Sequence, residues 1–286
     1  MTIVVAVKVN DGLVLAADSA VAVHGGPAGQ PPGILKTYDY GRKLSHIKDY
    51  PIGTLSWGIS LLGSRTIESL INEYEFGLPS ARDEAAKGFT VRRIADGLRD
   101  FLLKRYEAHY GPLSPDEQPP LGVFVCGYSD GEYFPEQYLF EFPVIPDLQA
   151  RRPPKENGEP DLGVDWFGLT DAITRLIKGA DLRLGAALSK RLQISQEEVW
   201  QWLAPFEYPI AFEGMPLQDA IDLAVYLVEM TIGRYRFAVG APVCGGEVDV
   251  AVITPRGFTW VYRKNWRTTQ RGGHDGCSSS LPILNR

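Results

Sequence analysis

The chain opens on an apolar run that reverses once. Residues 2–9 (TIVVAVKV) are almost all β-branched or small and apolar, Asn10-Asp11-Gly12 is a turn signal, and Leu13 to Ala17 is apolar again. This predicts a hairpin buried on both faces, as in a sandwiched sheet rather than a surface ribbon. Residues 23–40 carry seven Gly and Pro between Gly25 and Gly33 and read as a loop. Lys43–Ile47 and Pro51–Trp57 predict a second strand pair. From Gly58 to Tyr74, Leu61, Leu62, Ile67, Leu70 and Ile71 fall at helical spacing. Val91, Ile94, Leu98, Phe101 and Leu102 do the same from Thr90 to Tyr110, with Thr90 as the cap. Leu121–Tyr128 and Tyr133–Phe142 predict a hairpin turning at Ser129-Asp130-Gly131.

Residues 143–163 are polar, charged and Pro-rich, and predict an exposed excursion. Helices follow over Asp171–Lys178, Ala180–Leu192, a stretch opened by the capping pattern Ser195-Gln196-Glu197-Glu198, and Leu217–Tyr235. Glu247–Thr254 and Phe258–Arg263 predict a closing hairpin around Pro255-Arg256-Gly257. Residues after Asn265 read as a polar tail. Strands, helices, strands, helices, strands is a segregated order, which predicts an α+β domain over 1–265, insertions at about 23–40 and 143–163, and a tail at 266–286.

Hydrophobic content of 44% over 286 residues suffices for a sizeable core. A net charge of -6 supplies no basic field for nucleic acid or an anionic membrane. Three dispersed cysteines argue against a disulfide framework and point to a reducing, cytoplasmic setting. Four histidines lack metal-ligand spacing, and no apolar run approaches a membrane span. Lys8 and Asp11 interrupt the first apolar run, which has no basic leader, so a signal peptide is not expected. No phosphate loop, zinc motif or nucleophile elbow is present, and neither metal nor cofactor is expected.

One candidate chemistry lies at the chain start. Removal of Met1 would leave Thr2 with a hydroxyl nucleophile and its own α-amine as base. The stretch TIVVAVKVNDGLVLAADSA resembles the opening of proteasome β-type subunits, and shorter blocks continue the resemblance. These are Gly41-Arg42-Lys43-Leu44-Ser45-His46-Ile47, Gly53-Thr54-Leu55-Ser56-Trp57-Gly58, Phe167-Gly168-Leu169-Thr170, and residues 240–250. Among its varieties the chain most resembles the bacterial ancestral β-subunit (Anbu-like) group, in which threonine directly follows the initiator methionine.

The resemblance implies a four-layer αββα sandwich of the N-terminal nucleophile hydrolase type. It implies Thr2 as nucleophile, Lys43 as the ammonium that lowers the amine's pKa, and Asp18 as the acid that holds Lys43 charged. Gly58, in Ser56-Trp57-Gly58, would supply the oxyanion N–H, although counting from Lys43 sets Trp57 on the family's donor glycine. Thr170 stands where the family has a serine near the amine. Val21, Leu55, Trp57 and Ile59 are expected to touch substrate. The lysine lies farther from the aspartate than in the family, so residues 23–40 read as an insertion beside the site.

Two positions depart from the pattern: Cys244 replaces a second serine and Ala241 an aspartate. Cys244 reads as a small buried residue rather than a nucleophile. Glu247 and Asp249 share a strand face and read as a solvated edge. The implied activity is cleavage of peptide or other amide bonds by a homo-oligomer, ring or helical array, through the outer faces of the helices at 58–74, 90–110 and 217–235. A silent scaffold of the same fold and a small-molecule amidase are the alternatives.

Overall fold

The structure is a computed structural model that describes residues 2–25, 33–85, 88–239 and 243–265. The opening residues form the predicted hairpin, β1 (Ile3–Val9) and β2 (Gly12–Ala17), and every residue of both strands is buried. Alternation sends Ile3, Val5, Val7 and Val9 to one face and Val4 and Ala6 to the other, and both faces meet packed layers. β3 (Val21–Gly25) and β4 (Gly33–Tyr38) pair with each other. β5 (Leu44–His46) and β6 (Ile52–Gly58) follow, then a short hairpin of β7 (Leu61–Leu62) and β8 (Arg65–Thr66).

Helices α1 (Ile67–Gly77), α2 (Ala81–Ala85) and α3 (Val91–Tyr110) come next, then β9 (Leu121–Gly127), β10 (Glu136–Phe142), β11 (Ile145–Ala150) and β12 (Gly163–Gly168). Helices α4 (Asp171–Lys178), α5 (Leu182–Leu192), α6 (Gln196–Leu203) and α7 (Leu217–Arg236) lead to the closing hairpin, β13 (Asp249–Thr254) and β14 (Gly257–Tyr262). Caps set several helix starts: Thr90 Oγ1 accepts from Arg93 N at 3.1 Å, and Ser195 Oγ from Glu198 N at 3.1 Å.

The strands make two antiparallel five-stranded sheets, β12-β1-β2-β13-β14 and β11-β10-β9-β6-β5. Between them lie Val4, Leu13, Leu15, Leu44, Leu55, Trp57 and Phe124. The outer face of the first sheet packs on α4 and α7 through Ile173, Ala224, Leu227 and Val228. The outer face of the second packs on α1 and α3 through Leu70, Ile71, Ile94 and Leu98. Helices, sheet, sheet, helices: this is the four-layer αββα sandwich.

Several expectations change. The 23–40 segment is not loop throughout: β3 and β4 occupy its ends, because Val21, Val23 and Thr37 suit strand pairing, and its Pro-rich centre lies outside the described residues. The helix expected from Gly58 begins only at Ile67. Gly63 has φ +64, and Gly63-Ser64 turns the hairpin, so Leu61 and Leu62 mimic a helical stripe without forming one. Residues 143–163 are no free excursion either. β11 pairs with β10 in the register Tyr138↔Ala150, and Arg151 and Arg152 reach the buried Asp165 at 2.8 and 2.6 Å. The 266–286 tail lies outside the described residues.

Candidate active site

Thr2 stands just before β1 and is buried, with 6% of its surface exposed. Its carbonyl accepts from Leu169 N at 2.7 Å, and Ile3 N donates to Asp18 Oδ1 at 2.9 Å. Gly168 permits this seat: at φ +88, a Cβ there would lie 2.0 Å from the Thr2 carbonyl oxygen. These bonds pin the Thr2–Ile3 segment between Asp18, just after β2, and Leu169, just after β12.

Asp18 follows β2 and is wholly inaccessible. Oδ1 accepts from Lys43 Nζ at 2.7 Å and from Ile3 N; Oδ2 accepts from Gly245 N at 3.1 Å and Ala20 N at 3.3 Å. Four donors hold a carboxylate with no access to water, which is what a buried charge requires. Lys43, immediately before β5, is 7% exposed. Burial pushes its pKa below the ordinary lysine value, and the Asp18 carboxylate opposes that fall. The two charges form a paired unit that holds the strands together, and either one alone would be costly to bury.

Two hollows flank Thr2. The smaller, about 360 Å³, has Thr2, Val21, Lys43, Gly58 and Ile59 in its wall. The larger, about 740 Å³, has Thr2, Trp57, Gly58, Ile59 and Thr170. Gly58 borders both at φ +92, where a Cβ would lie 2.0 Å from Pro120 O, so only glycine fits. Thr2, Asp18, Lys43, Gly58, Thr170, Val21, Trp57 and Ile59 therefore gather at one end of the sheet interior. Thr170 precedes α4 without capping it by its side chain.

Leu55 does not belong with them. It is fully buried among Leu44, Phe124 and Trp57, on the same face of β6 as Trp57 but one alternation deeper between the sheets, and it lines neither hollow. Trp57 is both core and wall: it stacks on Phe167 at 4.5 Å and 8°, and Gly122 opposite leaves it room, since a Cβ there would lie 2.0 Å from its ring. Cys244 is buried near this unit, and desolvation pushes its thiol up to about 12, the nearby Asp18 adding to the rise. Ala241 lies outside the described residues.

Two features escaped the sequence reading. Asp249 is not a solvated edge: it is 1% exposed, accepts from Lys264 N at 3.1 Å and pairs with Lys264 Nζ at 3.5 Å. Lys264 Nζ also donates to the carbonyl of Gly41, two residues before Lys43, so a second buried pair braces the segment that carries the first. Glu141 is the other. Gln137, Leu139 and Glu141 alternate onto the inter-sheet face of β10, a pattern that would have put a carboxylate beside the apolar interior. No group of His, Cys, Asp and Glu among the described residues could hold a metal ion. No described helix is long and apolar enough to cross a membrane.

Two stacked antiparallel sheets covered on both outer faces by helices define the sandwich fold of the N-terminal nucleophile hydrolases. Within that class the chain is similar to Anbu, the ancestral proteasome β-type form. A solved structure of a mutant of Anbu from Hyphomicrobium sp. strain MC1 is 18% identical, over 92% of this chain and 86% of that one, with a TM-score of 0.51. At that identity the likeness establishes the proteasome-like fold. No protein-family model matches the chain, and no curated protein matches it in sequence.

Proposed function

We propose that the protein is an N-terminal threonine hydrolase of amide bonds, peptides included. The observation that carries this reading is the convergence of Thr2, Lys43 and Gly58 on one hollow, with Asp18 holding Lys43 at 2.7 Å. With Met1 removed, the Thr2 hydroxyl attacks the amide carbonyl carbon and its proton passes to the Thr2 α-amine. Lys43 favours the neutral amine by charge repulsion, and the Gly58 N–H faces the developing oxyanion. The carbon–nitrogen bond then breaks, the leaving amine takes the proton, and water hydrolyses the resulting ester. Thr170 steadies the amine.

The test is turnover of a panel of fluorogenic peptide and small-molecule amides. Thr2→Ala abolishes it, Lys43→Ala nearly does so, and Cys244→Ala keeps most of it. Turnover that survives Thr2→Ala and dies with Cys244→Ala would move the chemistry to the thiol. A chain that turns over nothing on the whole panel would be the silent scaffold.

The working form in this reading is a homo-oligomer. Among the described residues, large apolar side chains stand exposed on α1 (Phe76) and α7 (Tyr226), and also on α5 (Leu182, Leu184 and Leu192) and α6 (Trp202). The outer face of α3 instead carries Arg92, Arg99 and Asp100. Light scattering coupled to size exclusion checks this; a 31.6 kDa monomer that hydrolyses amides would refute it.

A further inference from the structure

The larger hollow beside Thr2 has a chemical character that amide hydrolysis does not demand. Its walls include Trp57, Ile59, Tyr110, Pro120, Phe167 and Leu169, and its volume of about 740 Å³ suits an extended side group rather than a single methyl or ring. Glu141 is the one charged side chain among the described residues lining it. No basic side chain among the described residues pairs with that carboxylate, which accepts only from Trp57 Nε1 at 3.2 Å. Phe167, the gap at Gly122 and Glu141 itself all fix the Trp57 ring, so the wall is preformed. An apolar cleft whose one carboxylate has no basic partner among the described residues selects a ligand that is apolar along its length and cationic at its tip.

We propose that this hollow is a specificity subsite for amides bearing a long arylalkyl or aliphatic group that ends in a cation, with Glu141 as its counter-ion. It rests on the hydrolase reading for its use in turnover, but not for its existence as a binding site. The apolar stem lies along Trp57 and Phe167, and the cation replaces its water by the Glu141 carboxylate in a half-buried setting, where the ion pair is screened less than at the surface.

The experiment is calorimetric titration of the full-length protein with 4-phenylbutylamine and, separately, with the uncharged 4-phenylbutanol, at pH 7.5 and low salt. The amine is expected to bind at least about tenfold more tightly, about 1.4 kcal/mol. Glu141→Gln keeps an acceptor for Trp57 Nε1 and should erase that preference. Glu68→Gln, in the wall of the smaller hollow, should leave it intact. Glu141→Lys should transfer the preference to 4-phenylbutyrate, which keeps the test decisive if the glutamine variant folds poorly. Equal binding of amine and alcohol, or a preference that follows Glu68, overturns the proposal. A protein that binds the amine through Glu141 yet hydrolyses no amide upholds the subsite and fails the hydrolase reading. One that hydrolyses amides without any preference for a cation does the reverse.

Discussion

Replacing Asp18 by Asn tests how the buried pair is held. The change keeps the shape and removes the charge, leaving Lys43 at 7% exposure without a counter-ion. Breaking a buried pair from one side costs about 3–5 kcal/mol. Lys43 has one escape, loss of its proton, and neutralising an ordinary lysine at pH 7 costs about 4.6 kcal/mol at 1.36 kcal/mol per pH unit. Both routes give a similar penalty.

The amide adds to it. Its NH₂ must face either Lys43 and Ile3 or Gly245 and Ala20, all donors, so two hydrogen bonds are lost whichever way it turns. Each orphaned buried donor costs about 1–3 kcal/mol. The expected loss is therefore at least about 4 kcal/mol in urea unfolding at pH 7, much of a typical stability. Adding Lys43→Met removes the lone cation and should restore about 2–3 kcal/mol.

The pH dependence has a fixed sign. In the Asp18→Asn chain the folded-state pKa of Lys43 drops below the unfolded value, so between the two the unfolded state holds more protons. The variant should therefore gain stability as pH rises from 7 toward 10. A loss below about 1 kcal/mol, or a double variant no more stable than the single, would refute the claim that Asp18 and Lys43 form one electrostatic unit.

Lys264→Met should cost about 3 kcal/mol by stranding Asp249, and should lower kcat with little change in KM, because Gly41 loses its brace. Adding Asp249→Leu should recover stability but not kcat; recovery of both would make the pair structural only. Cys244, its thiol pushed up to about 12 by burial, stays protonated at pH 8. Iodoacetamide should leave it unlabelled in the native protein and label it in urea, as peptide mapping will show; rapid native labelling would contradict its burial.

The opening hairpin was legible because both of its faces are buried, so an almost unbroken apolar run left no other reading. Helix α3 was legible because Thr90 caps a stripe that continues for five turns. The Gly58–Tyr74 stretch misled because two adjacent leucines fit a helical stripe and a short hairpin equally, and only the backbone at Gly63 separates them. The candidate site divides the same way. Thr2, Asp18 and Lys43 were found through a motif, and the structure brings two of them into contact. Leu55 was carried over with the resemblance, but its neighbours across the sheets make it core. Asp249 and Lys264 sit fifteen residues apart on either side of a hairpin, and nothing local marks them as partners. Glu141 belongs to a strand of the other sheet, and only three-dimensional packing sets it in the wall of the hollow that Thr2 also lines.

The central claim is that Thr2, freed of Met1, is the nucleophile. Intact-mass spectrometry after treatment with an amide-mimicking β-lactone tests it most directly. The account predicts a chain lacking Met1 that gains one acyl adduct, mapped to the N-terminal peptide at Thr2 and absent from Thr2→Ala. Active protein that fully retains Met1, or an adduct that stays when Thr2 is replaced, would contradict it.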